Sequence, residues 1–211
     1  LFLARGESNF VLLSEAIKSF HHFKQNVMLT QEVSTTTKWG IDPMHSQIGF
    51  KVKHLMFTNV RGLFREYEAI IATRDADFTT AEIDLVINAA SVNTNDDKRD
   101  QHLRSADFFD VENFSELKFK GRRLERVSIG DDYVLHGDLT IKGITRPVKL
   151  FVEFGGVIKD PWGNEKAALS IQGKINRKDW GLNWNAALEA GGVLVGEEIS
   201  FDIDVQLAKQ A

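Results

Sequence analysis

Three sets of residues in this chain could do chemistry. They are an acid and an imidazole two positions apart, Asp100 and His102; a pair of histidines, His45 and His54; and two arginines beside turn signals, Arg61 and Arg177. An Asp-x-His pair could support acid–base catalysis if both side chains faced one pocket. Helical spacing turns the two side chains ~200° apart, so they do not bond each other within the helix, and a solvated or loop-bracing role stands beside the catalytic one. His45 and His54 are separated by ~30 Å if they share one strand, too far to chelate one ion. His54 ends an apolar face, where its ring can meet a ligand's polar head or brace a loop. Arg61 and Arg177 could bind an anionic headgroup or hold their turns. No phosphate loop, G-x-S-x-G or H-E-x-x-H pattern occurs, and without cysteine there is no disulfide, thiol nucleophile or cysteine-ligated metal. No catalytic residue, metal ligand or cofactor is assigned.

The element that must position Asp100 and His102 is the helix pattern from Thr94 to Phe109. Thr94 can cap it, Asp96 and Asp97 suit its positive N-terminal end, and Asp100 with Arg104 forms an acid-before-base i,i+4 pair. It offers a core little beyond Leu103, Phe108 and Phe109. A short polar helix of this kind must lie across a sheet or close one end of a barrel.

From Lys38 onward the period is two. Ile48, Phe50, Val52 and His54 share one face of a strand, against Gln47, Gly49, Lys51 and Lys53. A turn is expected at Asn59–Gly62, then strands over Arg65–Thr73 and around Ile83, Leu85 and Ile87. Leu117 and Phe119 alternate with Lys118 and Lys120, and Tyr133, Leu135, Leu139 and Ile141 with polar neighbours. A Gly/Pro turn at Gly143–Pro147 joins that strand to Val148, Leu150, Val152 and Phe154 as a hairpin. Leu169, Ile171, Gly173 and Ile175 follow the turn Pro161–Asn164, and Ile199, Phe201, Ile203, Val205 and Leu207 form the last strand. Roughly eight strands, each with one apolar face, predict an all-β antiparallel barrel or sandwich. An eight-stranded barrel either packs its interior or holds one small ligand.

The 211 residues, 43% hydrophobic and 27% charged, suit one large all-β domain. A net charge of −4 without basic runs argues against nucleic acid. No stretch approaches the ~18 apolar residues of a transmembrane helix. Residues 1–36 form a separate N-terminal extension in which Phe10, Leu13, Ile17 and Phe20 predict a helix near residues 9–24; Glu15 and Lys18 interrupt what would be a signal peptide's apolar core. A cytoplasmic location is expected from the chain as written, with the periplasm as the alternative if the native N-terminus differs.

Several collinear motifs resemble the YceI-like family of lipid- and polyisoprenoid-binding proteins. They are W-x-I-D-x-x-H-S at Trp39–Ser46, F-K-V-K-H at Phe50–His54 with V-R-G at Val60–Gly62, and R-D-x-H-L-x-S-A-D-F-F-D at Arg99–Asp110. G-D-L-T-I-K-G-I-T-R-P-V at Gly137–Val148, N-R-K-D-W-G-L at Asn176–Leu182 and V-G-E-E-I-S-F-D-I-D-V at Val195–Val205 complete the set. The resemblance covers residues 37–208 and implies a lipocalin-like, eight-stranded antiparallel barrel with short helices packed at it. It also implies a long hydrophobic pore for an isoprenoid or similar long-chain lipid, and it allows a homodimer.

The expected pore lining comes from the apolar strand faces: Phe50, Val52, His54, Leu85, Phe119, Leu139, Val152, Ile171 and Phe201, with Phe57 and Phe154 among the further aromatic candidates. Arg61, His102 and Arg177 are the expected headgroup contacts. Carriage or storage of such a lipid leads. An enzyme acting on it would need convergent titratable groups at the pore, and a structural or partner-binding barrel would have a filled interior.

Overall fold

Because a half-buried strand must turn every second side chain inward, the alternating segments must bury their apolar faces against one another, and here they do so by curling around a common axis. The computed structural model describes residues 35–127, 130, 132–189 and 191–210; the helix expected near residues 9–24 lies outside them. The strands are β1 (Thr36–Ile41), β2 (Gln47–His54), β3 (Thr58–Phe64), β4 (Tyr67–Arg74), β5 (Asp77–Asn88), β6 (Val92–Asn93), β7 (Glu116–Arg126), β8 (Asp132–Ile141), β9 (Ile144–Lys159), β10 (Glu165–Asn176) and β11 (Val195–Lys209), with helix α1 (Asp97–Arg104) between β6 and β7. Eight of them, β1-β4-β5-β7-β8-β9-β10-β11, close into an antiparallel ring through the β11–β1 pairing. Of the barrel or sandwich that the strand patterns allow, the barrel is present, with the eight strands that the family resemblance implies. β2 continues the line of β1 along β11, and β3 and β6 extend the wall beside it.

The register puts the apolar faces on one surface. Phe119 stands opposite both Leu85 and Leu139, Leu135 opposite Leu150, and Ile171 opposite Val152 and Ile203. Phe201 stands opposite Phe50 and Gly173. The outer faces carry polar pairs such as Lys120–Asp84 at 3.4 Å and Lys174–Glu198 at 2.8 Å. No helix among the described residues is long and apolar enough to cross a membrane.

The seam where β1 gives way to β2 is clipped by Asp42 and Ser46. Asp42 accepts from the Met44 N–H at 3.1 Å and from Lys166 Nζ at 3.2 Å, and its carboxylate lies 3.1 Å from His45 Nδ1. Burial pushes the Asp42 carboxyl up, but its bonds to His45, Lys166 and Met44 outweigh this and hold it below the ordinary aspartate value. The Ser46 hydroxyl accepts from the Gln206 N–H at 2.9 Å, and Tyr67 donates to the Ser46 carbonyl at 2.8 Å. The motif around Asp42, His45 and Ser46 therefore closes the barrel.

Four local expectations are corrected. Asn59–Gly62 is not a turn but part of β3; the chain reverses at Leu55–Met56, whose φ values are 50° and 63°. Gly62 misleads because it looks like a turn residue. It is there because the Phe50 ring and the Thr94 methyl occupy the space a Cβ would need. The helix is shorter than Thr94–Phe109, and its cap is Asp96, whose side chain accepts from the Arg99 N–H at 3.1 Å. Arg104 does not pair with Asp100: it donates to the carbonyls of Ala90 at 2.7 Å and Val92 at 3.0 Å, tying α1 to the barrel rim. The hairpin turn after β8 narrows to Lys142–Gly143, because Ile144–Pro147 already pair with β8.

Candidate functional site

The inward faces do not meet. They enclose a cavity of about 540 Å³ running along the barrel, walled by Ile, Leu, Val and Phe side chains from every strand of the ring. All nine residues expected as pore lining, Phe50, Val52, His54, Leu85, Phe119, Leu139, Val152, Ile171 and Phe201, lie on its wall. Phe57 does not: it is 84% exposed on the β2–β3 turn. Phe154 sits in the aromatic floor.

That floor seals one end. Trp39, Phe78 and Tyr133 are buried, with ring centroids 5.1 Å apart for Trp39–Phe78, 4.8 Å for Phe78–Phe154 and 6.2 Å for Tyr133–Phe154. The Trp39 indole donates to Thr73 Oγ1 at 3.0 Å, so its single polar atom is satisfied.

The polar wall groups, His54, Thr94, Asp96, Lys98, Arg99, His102 and Arg177, gather at the opposite end, where Asp96 and Lys98 are exposed. This is the mouth. Helix α1 forms one side of it, anchored from beneath: buried Asp100 accepts the N–H and hydroxyl of Thr94 at 2.8 and 2.5 Å, while Arg99 Nε donates to Thr94 Oγ1 at 2.7 Å. Asp100 therefore serves the rim and not His102. His102 turns away, with Nε2 2.8 Å from Asp107 Oδ2 and its ring edge-on to Phe108 and Trp184 at 5.1 and 4.6 Å. Leu103, Phe108 and Phe109 face the cavity beneath the helix, Phe109 lying 5.7 Å from Phe64.

Arg177 stands on the opposite rim, 2% exposed, in the single helical turn Arg177–Trp180. It donates to the carbonyls of Gly196 at 2.9 Å and Leu182, with Val195 at the margin at 3.4 Å. Burial lowers its pKa, and Glu197 partly offsets this. No carboxylate forms a salt bridge with it among the described residues; backbone carbonyls hold the guanidinium directly, and Glu197 acts on it only without contact. Arg61 is exposed on the outward face of β3, opposite Lys51, and does not line the cavity. Among the described residues no group of three His, Asp or Glu side chains is placed to hold a metal.

Sequence reasoning missed the rim's composition. Leu182, Trp184, Leu194 and Val195 line the mouth from the irregular segment before β11, where no periodicity marks an inward face.

A family model for the YceI-like domain matches residues 39–207. A UPF0312 protein of Staphylococcus aureus strain bovine RF122 is 38% identical over 173 residues, 82% of this chain and 98% of that protein. Among solved structures, the Campylobacter jejuni YceI protein superposes with TM-score 0.65 at 31% identity, covering 75% of this chain and 90% of that one. Burkholderia cenocepacia BcnA gives TM-score 0.66 at 18% identity, covering 79% and 98%. A polyisoprenoid-binding domain from Saccharophagus degradans, implicated in plant cell wall breakdown, gives 0.57 at 16%, covering 82% and 98%.

Proposed function

We propose that this chain, which belongs to the YceI-like domain family, holds one long-chain apolar lipid in its barrel, an isoprenoid or a molecule of similar shape, and acts in its storage, transport or sequestration. The observation that carries the reading is the cavity itself. At ~24 cal/mol per Å³ of void, leaving a space of 540 Å³ unfilled would cost on the order of 10 kcal/mol, comparable to a whole domain's stability of ~5–15 kcal/mol. Evolution does not keep such a space as a packing fault. Its volume also falls within the range of ~300–1,000 Å³ typical of ligand pockets.

The chemistry of the wall selects the occupant. An apolar chain buried there gains ~25 cal/mol per Å² removed from water, without needing polar contacts along its length. Wall shape and the sealed floor then set the length accepted. A polar head comes to rest at the mouth, near Arg177 and His102. The naming of the S. degradans domain as polyisoprenoid-binding supports an isoprenoid as the first ligand to try.

Catalysis is the weaker reading. Asp100 is committed to Thr94, His102 to Asp107 and Arg177 to backbone carbonyls, so the titratable groups at the mouth brace it. The test is titration of the purified chain with isoprenols of graded length, followed by tryptophan fluorescence. Saturable one-to-one binding that strengthens with length up to a limit is expected; no saturable binding at any length overturns the reading.

A further inference from the structure

The β2–β3 turn carries Leu55, Met56 and Phe57 in succession, 42%, 57% and 84% exposed. Leu55 and Met56 hold left-handed backbone, φ 50° and 63°, in a two-residue turn closed by the Phe57 N–H to the His54 carbonyl at 3.3 Å. Glycine or asparagine normally occupies such positions, because a larger side chain is strained there. Here the turn instead presents three large apolar side chains to water. Beside it, Val193 is 40% exposed, Met56 lies against Gly192, and the Leu55 N–H donates to the Leu194 carbonyl at 2.9 Å.

This patch is continuous with the mouth. His54, immediately before the turn, and Leu194 and Val195, immediately after Val193, are cavity-wall residues. The exposed apolar side chains therefore border the cavity wall directly at His54 and Leu194. The sealed aromatic floor leaves the mouth as the route for exchange, and a ligand of this type partitions into bilayers and not into water. We infer that Leu55, Met56, Phe57 and Val193 dock the mouth onto a lipid bilayer, inserting shallowly so that the ligand passes between membrane and cavity without crossing water. Of the cations near the turn and mouth, Arg99 pairs with Asp96 at 3.7 Å, Lys53 donates to the Phe57 carbonyl at 3.4 Å and Arg177 is spent on backbone carbonyls, so insertion of apolar side chains drives the contact and not attraction to anionic headgroups.

The inference rests on the lipid-binding reading, and its test separates the two. The full chain and a Met56→Ser/Phe57→Ser variant, neither position being in the cavity wall, are floated with uncharged phosphatidylcholine vesicles. Each is also loaded with geranylgeraniol, once from detergent micelles and once from those vesicles. The wild type is expected to float in low and high salt. The variant is expected to float roughly tenfold or more less well and to load from vesicles roughly tenfold more slowly, with unchanged final loading from micelles. Flotation without geranylgeraniol uptake would keep the docking surface and remove that ligand from the function proposed above. Equal flotation of both proteins, no flotation of either, or flotation abolished by salt would overturn the docking inference. So would a wild-type dimer that becomes a monomer in the variant, since a second copy would then be what covers the patch.

Discussion

The Asp100 carboxylate accepts both the backbone N–H and the hydroxyl of Thr94, at 2.8 and 2.5 Å, in a site where Asp100 is 2% exposed. This pairing joins α1 to the end of β6 and so fixes one side of the cavity mouth. Asp100→Ala would leave a buried N–H and hydroxyl without their acceptor, at a cost of ~1–3 kcal/mol. Denaturant unfolding should show that loss. Lipid affinity, measured at a temperature where the variant is folded, should fall less than it would for a residue in the cavity wall.

Arg177→Met should cost ~3 kcal/mol or more, because it strips donors from the carbonyls of Gly196 and Leu182 inside the rim. Arg177→Lys should recover only part of it, since one ammonium does not reach the span covered by the guanidinium fork. Thermal melts of the two variants beside the wild type check the order.

Ile171→Trp would place an indole in the middle of the cavity, between the positions of Val152 and Ile203. In a filled core this enlargement would cost ~1–3 kcal/mol. Here there is space for it, so the melting temperature of the lipid-free protein should change by no more than a few degrees, a shift corresponding to roughly 1 kcal/mol or less. The longest ligands should be excluded while short ones still enter.

Asp42 gives the barrel a defined acid response. Its carboxyl is held below the ordinary value in the folded state, so it contributes stability above the unfolded-state pKa of ~3.9 and loses that contribution as pH falls through the folded value. Asp42→Asn should be less stable than wild type at pH 7 by ~1 kcal/mol. The gap should close as the pH drops below the ordinary aspartate range. Urea midpoints across a pH series measure it.

The walls were legible in the sequence because each strand exposes one face to water and must hide the other, which leaves a period of two that no helix could share. The nine pore-lining positions followed from that alternation, and the register places them on one inner surface. The mouth was legible only in part. His54, His102 and Arg177 could be singled out one by one, but not that they stand together with Arg99, Trp184 and Leu194, because these come from segments far apart in the chain and only closure of the ring brings them together. Arg61 shows the opposite failure: beside Gly62 it looked like a turn residue facing a ligand, yet the strand carries it outward. Gly62 itself answers to the Phe50 ring, a contact that local sequence cannot reveal.

The central claim is that the cavity of the native protein holds an apolar lipid, and native mass spectrometry of the purified chain tests it most directly, with solvent extraction to identify what is released. The expected result is one lipid per barrel, lost on extraction and restored by an isoprenoid of suitable length. A protein mass with no added ligand, unchanged after incubation with isoprenoids of every length tried, would contradict it.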